Sequence, residues 1–236
     1  MNLVRHLRAF AAMLLTAGAV TAEPNAAAAL SYRDAYRAMV VFEKYGKPKN
    51  FIQHHLQVMP REKGVSLEGV QLTLEGKGTQ LSLPLDPAGR AVFPLLKAAY
   101  DENAALVLNR PAGQFQLRAR VSIAVRPDGV YDVADLRTAC EQVLAYQRNS
   151  YAGNAPGARQ CVGVRMAFAR KGGEPNVRLR KADGAAPALP VTDGAAFSDD
   201  PNDSFRVVDV RFDGARGQVV SATVPVAIAA AFEPGS

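Results

Sequence analysis

The chain of 236 residues has no tryptophan, only two cysteines and only three histidines. Two cysteines exclude a small domain that is held together by several disulfides. His54 and His55 are adjacent, and adjacent residues of a strand face opposite sides, so they do not form the usual three-ligand zinc site. The hydrophobic share of 48% and the charged share of 21% are typical of a globular protein and exclude a disordered or collagen-like chain.

A clustered stripe of basic residues is also missing. The 28 basic residues exceed the 22 acidic ones by six, and the excess is spread along the chain. Proteins that bind nucleic acid concentrate this charge and interleave it with aromatic residues, so we expect no nucleic-acid partner. The sequence also has no Gly-x-Ser-x-Gly elbow and no His-Glu-x-x-His pattern, so no catalytic motif is present.

The first 22 residues have the pattern of a secretory signal peptide. They begin with the basic residues Arg5, His6 and Arg8 and continue with an apolar stretch from Ala9 to Val20. As a helix this stretch would rise about 18 Å, which is short of the roughly 30 Å hydrocarbon core of a membrane. Small residues at 20–22 predict cleavage before Glu23, with a site after the run Ala26–Ala29 as the alternative. We therefore expect a periplasmic or secreted protein without a transmembrane segment after cleavage.

Two segments have helical periodicity. Ser31 and Asp34 resemble a capping box, and apolar residues recur at helical spacing up to Tyr45, which predicts a helix at about 31–45. Asp132 is a candidate cap for a second helix at about 133–148 with one apolar stripe. We expect the first helix to pack its aromatic face on a sheet; a ligand-stacking surface of tyrosines is the alternative.

The rest of the chain has the period of β-strands. Apolar and polar residues alternate in short segments separated by turns that contain Gly or Pro, at 70–75, 80–85, 117–125, 162–168, 177–179, 208–212 and 220–228. Pro225 predicts that the last of these lies at a sheet edge or is bulged. The pattern predicts a mainly β protein with two sandwich-like parts, at 30–157 and 158–236, joined by a Gly- and Pro-containing linker at 150–157.

The segment Leu83–Phe93 contains a strand, an Asp-x-x-Gly turn at 86–89 and a second strand. In this respect it resembles the carboxypeptidase regulatory-like, or transthyretin-like, sandwich domains. That resemblance covers eleven residues and implies a non-catalytic accessory domain. More loosely, the whole chain resembles secreted proteins of Gram-negative bacteria.

Cys140 and Cys161 are the two cysteines of the chain. An exported chain enters an oxidising compartment, so we expect a disulfide between them that ties the second helix to the first strand of the second part. In the loop-entropy model such a bond stabilises the fold by about 3 kcal/mol. Two buried free thiols or a redox-active pair are the alternatives.

The segment 193–204 is the part of the sequence richest in side-chain oxygens. Its carboxylates Asp199, Asp200 and Asp203 are candidate ligands of one calcium ion. Calcium is the only cofactor that the sequence suggests. The spacing is not that of an EF-hand, and a solvated turn in which Asp and Asn bond to their own backbone explains the same residues.

A polar strand face provides the candidate binding surface. Gln116, Arg118 and Arg120 alternate with apolar residues and form the most basic face of the predicted strands. We expect an exported, non-catalytic binding or structural module with a protein or glycan partner in the cell envelope. The alternative is a periplasmic hydrolase with its site at the junction of the two parts. A hydrolase needs polar groups that converge in a concave pocket, whereas a binding module offers an open face or a sheet edge.

Overall fold

The computed structural model describes residues 27–111, 113–150 and 159–235. The predicted signal peptide and most of the predicted linker lie outside these residues. Within the described ranges, fourteen strands form three antiparallel sheets, which confirms the mainly β fold. The α-helices are α1 (Tyr32–Glu43), α2 (Lys97–Asp101) and α3 (Val133–Ser150). No helix in these ranges is both long and apolar enough to cross a membrane.

A seven-stranded sheet forms the centre of the molecule. Its strands, in spatial order, are β11 (Thr192–Gly194), β12 (Phe205–Arg211), β9 (Arg159–Ala169), β14 (Ala227–Pro234), β7 (Phe115–Ile123), β2 (Ile52–Pro60) and β5 (Arg90–Ala91). The first four come from the second predicted part and the last three from the first. The two groups meet where Ile228 of β14 pairs with Ile123 of β7. The two predicted parts therefore share one sheet, and their independence as domains stays a prediction.

Two smaller sheets complete the fold. The four-stranded sheet has the order β1 (Ala27–Ser31), β6 (Ala105–Pro111), β3 (Leu72–Glu75) and β4 (Gln80–Leu83). The three-stranded sheet has the order β10 (Val177–Arg180), β13 (Gln218–Ser221) and β8 (Val130–Asp132). In the first of these, β3 and β4, which lie within the predicted segments 70–75 and 80–85, form a hairpin with Leu72 opposite Leu83.

Both long helices pack on one face of the central sheet, which we name the inner face. At the start of α1, the hydroxyl of Ser31 accepts a hydrogen bond from the Asp34 amide, as the capping pattern predicts. Tyr32 and Phe42 of α1 are buried, so its aromatic face packs as expected. Along α3 the buried stripe includes Leu136, Cys140 and Val143, which lie in one core with Val164 and Met166 of β9.

Two strand predictions differ from the structure. The segment 220–228 is not one strand, because the chain leaves β13 before Pro225 and enters the central sheet as β14 after it. Proline has no N–H to donate, which suits this crossing between two sheets. The turn at 86–89 forms, with Asp86 accepting hydrogen bonds from the amides of Ala88 and Arg90. The strands on either side of it do not pair with each other, since β4 and β5 belong to different sheets.

The opposite, outer face of the central sheet carries the polar side chains. Because strand residues alternate, Arg118 and Arg120 of β7, Gln57 of β2 and Arg165 of β9 all lie on it. The connection between β11 and β12, residues 195–204, crosses part of this face and buries Phe197 on it. The loop covers one part of the outer face and leaves another part open to solvent, and both parts are candidate sites.

Candidate functional site

The loop 195–204 brings two carboxylates onto the predicted basic face. Asp199 and Asp200 meet Arg118 and Arg120 in a set of ion pairs that closes around the side chain of Gln57. We name these five residues the arginine–aspartate cluster. Its arginines come from the first predicted part of the chain and its aspartates from the second, so the cluster links the two parts.

The cluster has direct hydrogen bonds throughout. Arg118 donates to Asp199 at 2.7 Å and to Asp200 at 2.8 Å. Arg120 donates to the same carboxylates at 2.9 and 3.0 Å. Both Nε atoms donate to Oε1 of Gln57, at 3.2 and 2.7 Å. Nε2 of Gln57 donates to Asp200 and to the carbonyl of Ala88, so this buried amide uses both of its ends.

A third arginine extends the network toward β5. Arg90 is 4% exposed, and it donates to Asp86, to the hydroxyl of Ser122 and to the carbonyl of Val226. The ring of Phe197 lies near two guanidinium groups, with its centroid 4.2 Å from that of Arg120 and 5.9 Å from that of Arg90. Cation–π contacts of this kind attach the loop to the sheet in addition to its ion pairs.

Burial sets the protonation of the innermost carboxylate. Loss of water raises the pKa of Asp200 to about 6, although Arg118 acts in the opposite direction. The carboxyl of Asp200 therefore begins to take up a proton in mildly acidic solution. A protonated Asp200 is a weaker partner for the two guanidinium groups than its carboxylate.

The structure brings some of the predicted site residues together and separates others. Arg118 and Arg120, predicted for binding, pair with Asp199 and Asp200, predicted for calcium. Gln116 lies on the same strand face, opposite Met59, outside the cluster. Asp203 pairs instead with Lys63 at 3.1 Å. The described part of the chain holds no group of three or more His, Cys, Asp or Glu side chains suited to a metal ion.

A cavity of about 800 Å³ lies beside the cluster, between loops of both predicted parts. We name it the junction cleft. Apolar side chains, including Met59, Leu67 and Phe205, line it, and Asp200 is among its polar lining residues. Exposed ion pairs join its two sides, Lys63 to Asp203 and Lys171 to Glu68. Asn202 also bonds across it, to the amide of Gly64 and to the carbonyl of Val65.

A second concave surface of about 680 Å³ lies on the outer face, over β12, β9 and β14. We name it the sheet groove. Small residues, Gly163, Ala229 and Ala231, form its floor, and charged residues, Arg165, Asp209, Arg211 and Glu233, border it. Asp209, Arg165 and Ala229 lie side by side across three strands, as do Arg211, Gly163 and Ala231.

The charges of the sheet groove are paired with one another. Arg165 holds Asp209 through two parallel hydrogen bonds, of 2.8 and 2.9 Å. Hydrogen bonding to Asp209 and the negative charge of Asp209 both raise the pKa of Arg165. Arg211 donates to Glu233 at 2.8 Å. These side chains are about one-third to one-half exposed, so solvent reaches the pairs.

The two histidines of the described chain lie on opposite faces of β2, as predicted. His54 faces α1, and its ring packs in a tilted arrangement on that of Phe42, with the centroids 4.8 Å apart. Burial lowers the pKa of His54 to about 4. Burial also lowers the pKa of His55, and the nearby Arg90 acts in the same direction. The histidines therefore do not act together on one ligand.

The predicted disulfide is present between Cys140 of α3 and Cys161 of β9, with a Cα–Cα distance of 6.0 Å. The disulfide connects α3 to β9 on the inner face of the sheet. The sheet groove lies on the outer face of the same strand. The described residues contain no free cysteine. Cys140 is fully buried, and Cys161 is partly buried.

Sequence reasoning did not find Gln57, Arg90 and Phe197, which organise the cluster. The alternating pattern placed Arg118 and Arg120 on one face, but it could not show which acids would reach them from about 80 positions away. The turn Asp86-x-x-Gly89 was the available signal for Arg90, because the same carboxylate caps the turn and binds that guanidinium.

No family model, no curated protein and no solved structure matches this chain. The function must therefore follow from the geometry of the cluster, the cleft and the groove.

Proposed function

We propose that the protein is an exported, non-catalytic module that binds a protein or glycan partner of the cell envelope in the sheet groove. One observation carries the proposal: the outer face of the central sheet stays open and concave over β12, β9 and β14. An antiparallel sheet commonly packs one face on the core and leaves the other to solvent. Here the solvated face is shaped, with a floor of small residues and a charged border.

The state of the charged groups supports binding over catalysis. General acid–base or nucleophilic chemistry needs groups that can move a proton or an electron pair to a substrate. The arginines and aspartates of the cluster are held by one another. The groups of the sheet groove are paired but reachable, which suits recognition by hydrogen bonds.

The first strand and the disulfide support export. The buried disulfide suits an oxidising compartment. Cleavage before Glu23 would leave β1 complete, because this strand begins at Ala27. Cleavage after Ala29 would remove three of its five residues, which pair with β6. We therefore expect the mature chain to begin at Glu23.

The intact mass of the protein isolated from the envelope or periplasm tests this expectation. A mass that corresponds to residues 23–236 with one disulfide is the expected result. A chain that keeps its first 22 residues, or that begins at Leu30, contradicts the proposed processing. A variant with Ala22→Glu blocks the small-residue position and is expected to accumulate as the uncleaved chain.

Retention on isolated envelope material tests the binding function. The mature protein is expected to sediment with envelope fragments, and the double variant Arg165→Gln/Arg211→Gln is expected to stay in the supernatant. Arg126→Gln is the matched control, since Arg126 forms a similar exposed pair with Asp128 away from the groove. Equal retention of the double variant and the wild type would contradict binding at the groove.

A second candidate function is hydrolysis at the junction cleft. It is favoured by the position of Asp200, an acid with a raised pKa that lines a cavity between the two parts. The test is turnover of chromogenic ester, phosphate and glycoside substrates by the wild type and by Asp200→Asn. Turnover that Asp200→Asn abolishes, in a variant that still folds, would favour the hydrolase over the binding module.

A further inference from the structure

We infer that the partner in the sheet groove is a neutral glycan, held with the apolar side of a sugar ring on the groove floor. This inference rests on the proposed function and specifies the partner class. Three properties of the groove support it: its floor, the balance of its charges and its size.

The floor provides a flat apolar strip. Gly163 and Ala231 are directly opposite each other on β9 and β14, and Ala229 continues the strip beside Arg165. None of the three has a side chain larger than a methyl group. A Cβ at position 163 would lie 2.3 Å from the carbonyl oxygen of Val210, so the backbone of β12 requires glycine there. A ring with C–H groups on one side can therefore lie against these three small residues, with the larger side chains of Val162, Arg165 and Phe232 beside it.

The border provides donors and acceptors in pairs. A guanidinium group has five N–H donors, and Arg165 uses two of them on Asp209. The carboxylates of Asp209 and Glu233 keep lone pairs beyond those that their arginines use. A hydroxyl group both donates and accepts, so neighbouring hydroxyls of a sugar can bond to the guanidinium and to the carboxylate of one pair.

The charge balance excludes a strongly charged ligand. Of the charged residues that line the groove, Arg159, Arg165 and Arg211 are basic and Asp209 and Glu233 are acidic. The lining therefore has one basic group in excess, and Asp213, which lies outside the lining and pairs with Arg211, offsets it. An anionic ligand would meet the carboxylates and a cationic one would meet the guanidinium groups, whereas a neutral polar ligand meets neither penalty.

The size of the groove fits this ligand class. Its volume of about 680 Å³ lies within the range of about 300–1,000 Å³ that is typical of small-ligand sites. An extended protein surface would need a larger and more apolar contact area for stable docking. A short stretch of a glycan chain can lie along the strip and leave the groove at either end.

The test is titration of the mature protein with five trisaccharides. Maltotriose, cellotriose and N,N′,N″-triacetylchitotriose are the neutral probes; trigalacturonic acid and the unacetylated glucosamine trimer are charged counterparts. Isothermal titration calorimetry gives affinities, and backbone amide shifts in NMR give the location. At least one neutral probe is expected to bind at millimolar concentration, to shift amides of β9, β12 and β14, and to bind more tightly than its charged counterparts.

Two variants connect the binding to the groove. Ala231→Leu places a bulky side chain on the floor and is expected to weaken binding at least about tenfold, which corresponds to about 1.4 kcal/mol. Ala134→Leu is the matched control on an exposed position of α3 and is expected to bind as the wild type does. Thermal unfolding of both variants shows whether they are folded.

The outcomes separate this inference from the proposed function. Absence of binding by all neutral probes, or tighter binding of a charged trimer, overturns the glycan inference. If Arg165→Gln/Arg211→Gln still abolishes retention on envelope material in that case, the groove binds a protein and the proposed function stands. If the groove variants change neither measurement, both the inference and the proposed binding site are wrong.

Discussion

Arginine–carboxylate pairs occur at two places on the outer face of the central sheet, and the two places differ in what covers them. In the arginine–aspartate cluster the inner pair lies under the loop 195–204, since the side chains of Arg120 and Asp200 are 13% and 11% exposed, whereas Asp199 is 53% exposed. In the sheet groove, Arg165 and Asp209 are 32% and 48% exposed. The same chemical groups on one sheet face are therefore buried in one place, where they stabilise the fold, and open to solvent in the other, where we propose that they bind a partner.

This difference in exposure sets the free energy of each pair. A buried pair has lost its water, so removal of one partner leaves a charge without compensation and is expected to destabilise the fold strongly. An exposed pair keeps most of its hydration and contributes little to stability. We therefore expect substitutions, pH and salt to change the free energy of unfolding differently at the two places.

Removal of Arg120 has the largest expected effect. Arg120→Met deletes its hydrogen bonds to Gln57, Asp199 and Asp200 and its contact with Phe197. We expect the free energy of unfolding to fall by about 3 kcal/mol, because Gln57 and Asp200 stay buried with fewer partners. Denaturation by urea measures the change.

Arg165→Met is the control for this prediction, since it makes the same substitution on the same sheet face. Its expected cost is below about 1 kcal/mol. Equal losses for the two variants would contradict the distinction between a structural cluster and an open groove.

Loss of the disulfide has the next largest expected effect. Cys140→Ser/Cys161→Ser removes a bond with a sequence separation of 21 residues. We expect a loss of about 3 kcal/mol from the greater freedom of the unfolded chain. Because Cys161 belongs to β9, hydrogen exchange should increase in β9 and β14, beside the groove, more than in β2 and β7, which carry the cluster. A uniform increase would show that the sheet opens as one unit.

Much of the fold follows from local patterns in the sequence. The capping residue Ser31, the alternation of β7 and the hairpin of β3 and β4 each depend on neighbours within a few positions, and each is found. The long strand β2 has no clean alternation, because the polar residue His54 faces the inner side beside Phe42. Which sheet each strand joins depends on packing between distant segments, so the sequence did not show that β4 and β5 separate.

The site shows the same limit. Alternation placed Arg118 and Arg120 on one face, and the composition of 193–204 indicated a carboxylate-rich loop. The contact between them arises because the loop after β11 crosses a sheet whose strands come from both ends of the chain. No local rule contains that geometry. The sequence did not predict the sheet groove either, since small residues in a strand do not indicate whether the surface of the sheet is concave.

Acidic pH is expected to lower the free energy of unfolding through His54 of β2. His54 has a pKa of about 4 in the fold and about 6.5 when unfolded, so the unfolded chain takes up the proton first as pH falls. The contribution of His54 to the free energy of unfolding is therefore complete above pH 6.5 and is lost as the pH falls from 6.5 to 4. The loss is up to about 3 kcal/mol, since one pKa unit corresponds to about 1.4 kcal/mol.

Asp200 acts in the opposite direction over much of this window. Its pKa is raised in the fold, so its contribution to stability is present at low pH and declines as pH rises through about 4 to 6. The two groups partly cancel in the wild type. Urea midpoints across pH 4–7 measure the sum. His54→Gln should reduce the rise of stability with pH in this range, to which His55, whose pKa is also lowered by burial, still contributes. An unchanged pH profile in that variant would contradict the shifted pKa of His54.

The smallest expected effect is the coupling between Arg165 and Asp209. In a double-mutant cycle with Arg165→Gln and Asp209→Asn, we expect a coupling free energy of about 0.2–1 kcal/mol, which decreases as salt is added. The same cycle on Arg118 and Asp200, with Arg118→Gln and Asp200→Asn, should give a larger coupling that salt changes little, because the loop 195–204 limits access of ions. A strong, salt-insensitive coupling at Arg165 would mean that this pair holds the strands together. Its guanidinium would then not be available to a ligand, and the groove would be a structural feature of the sheet.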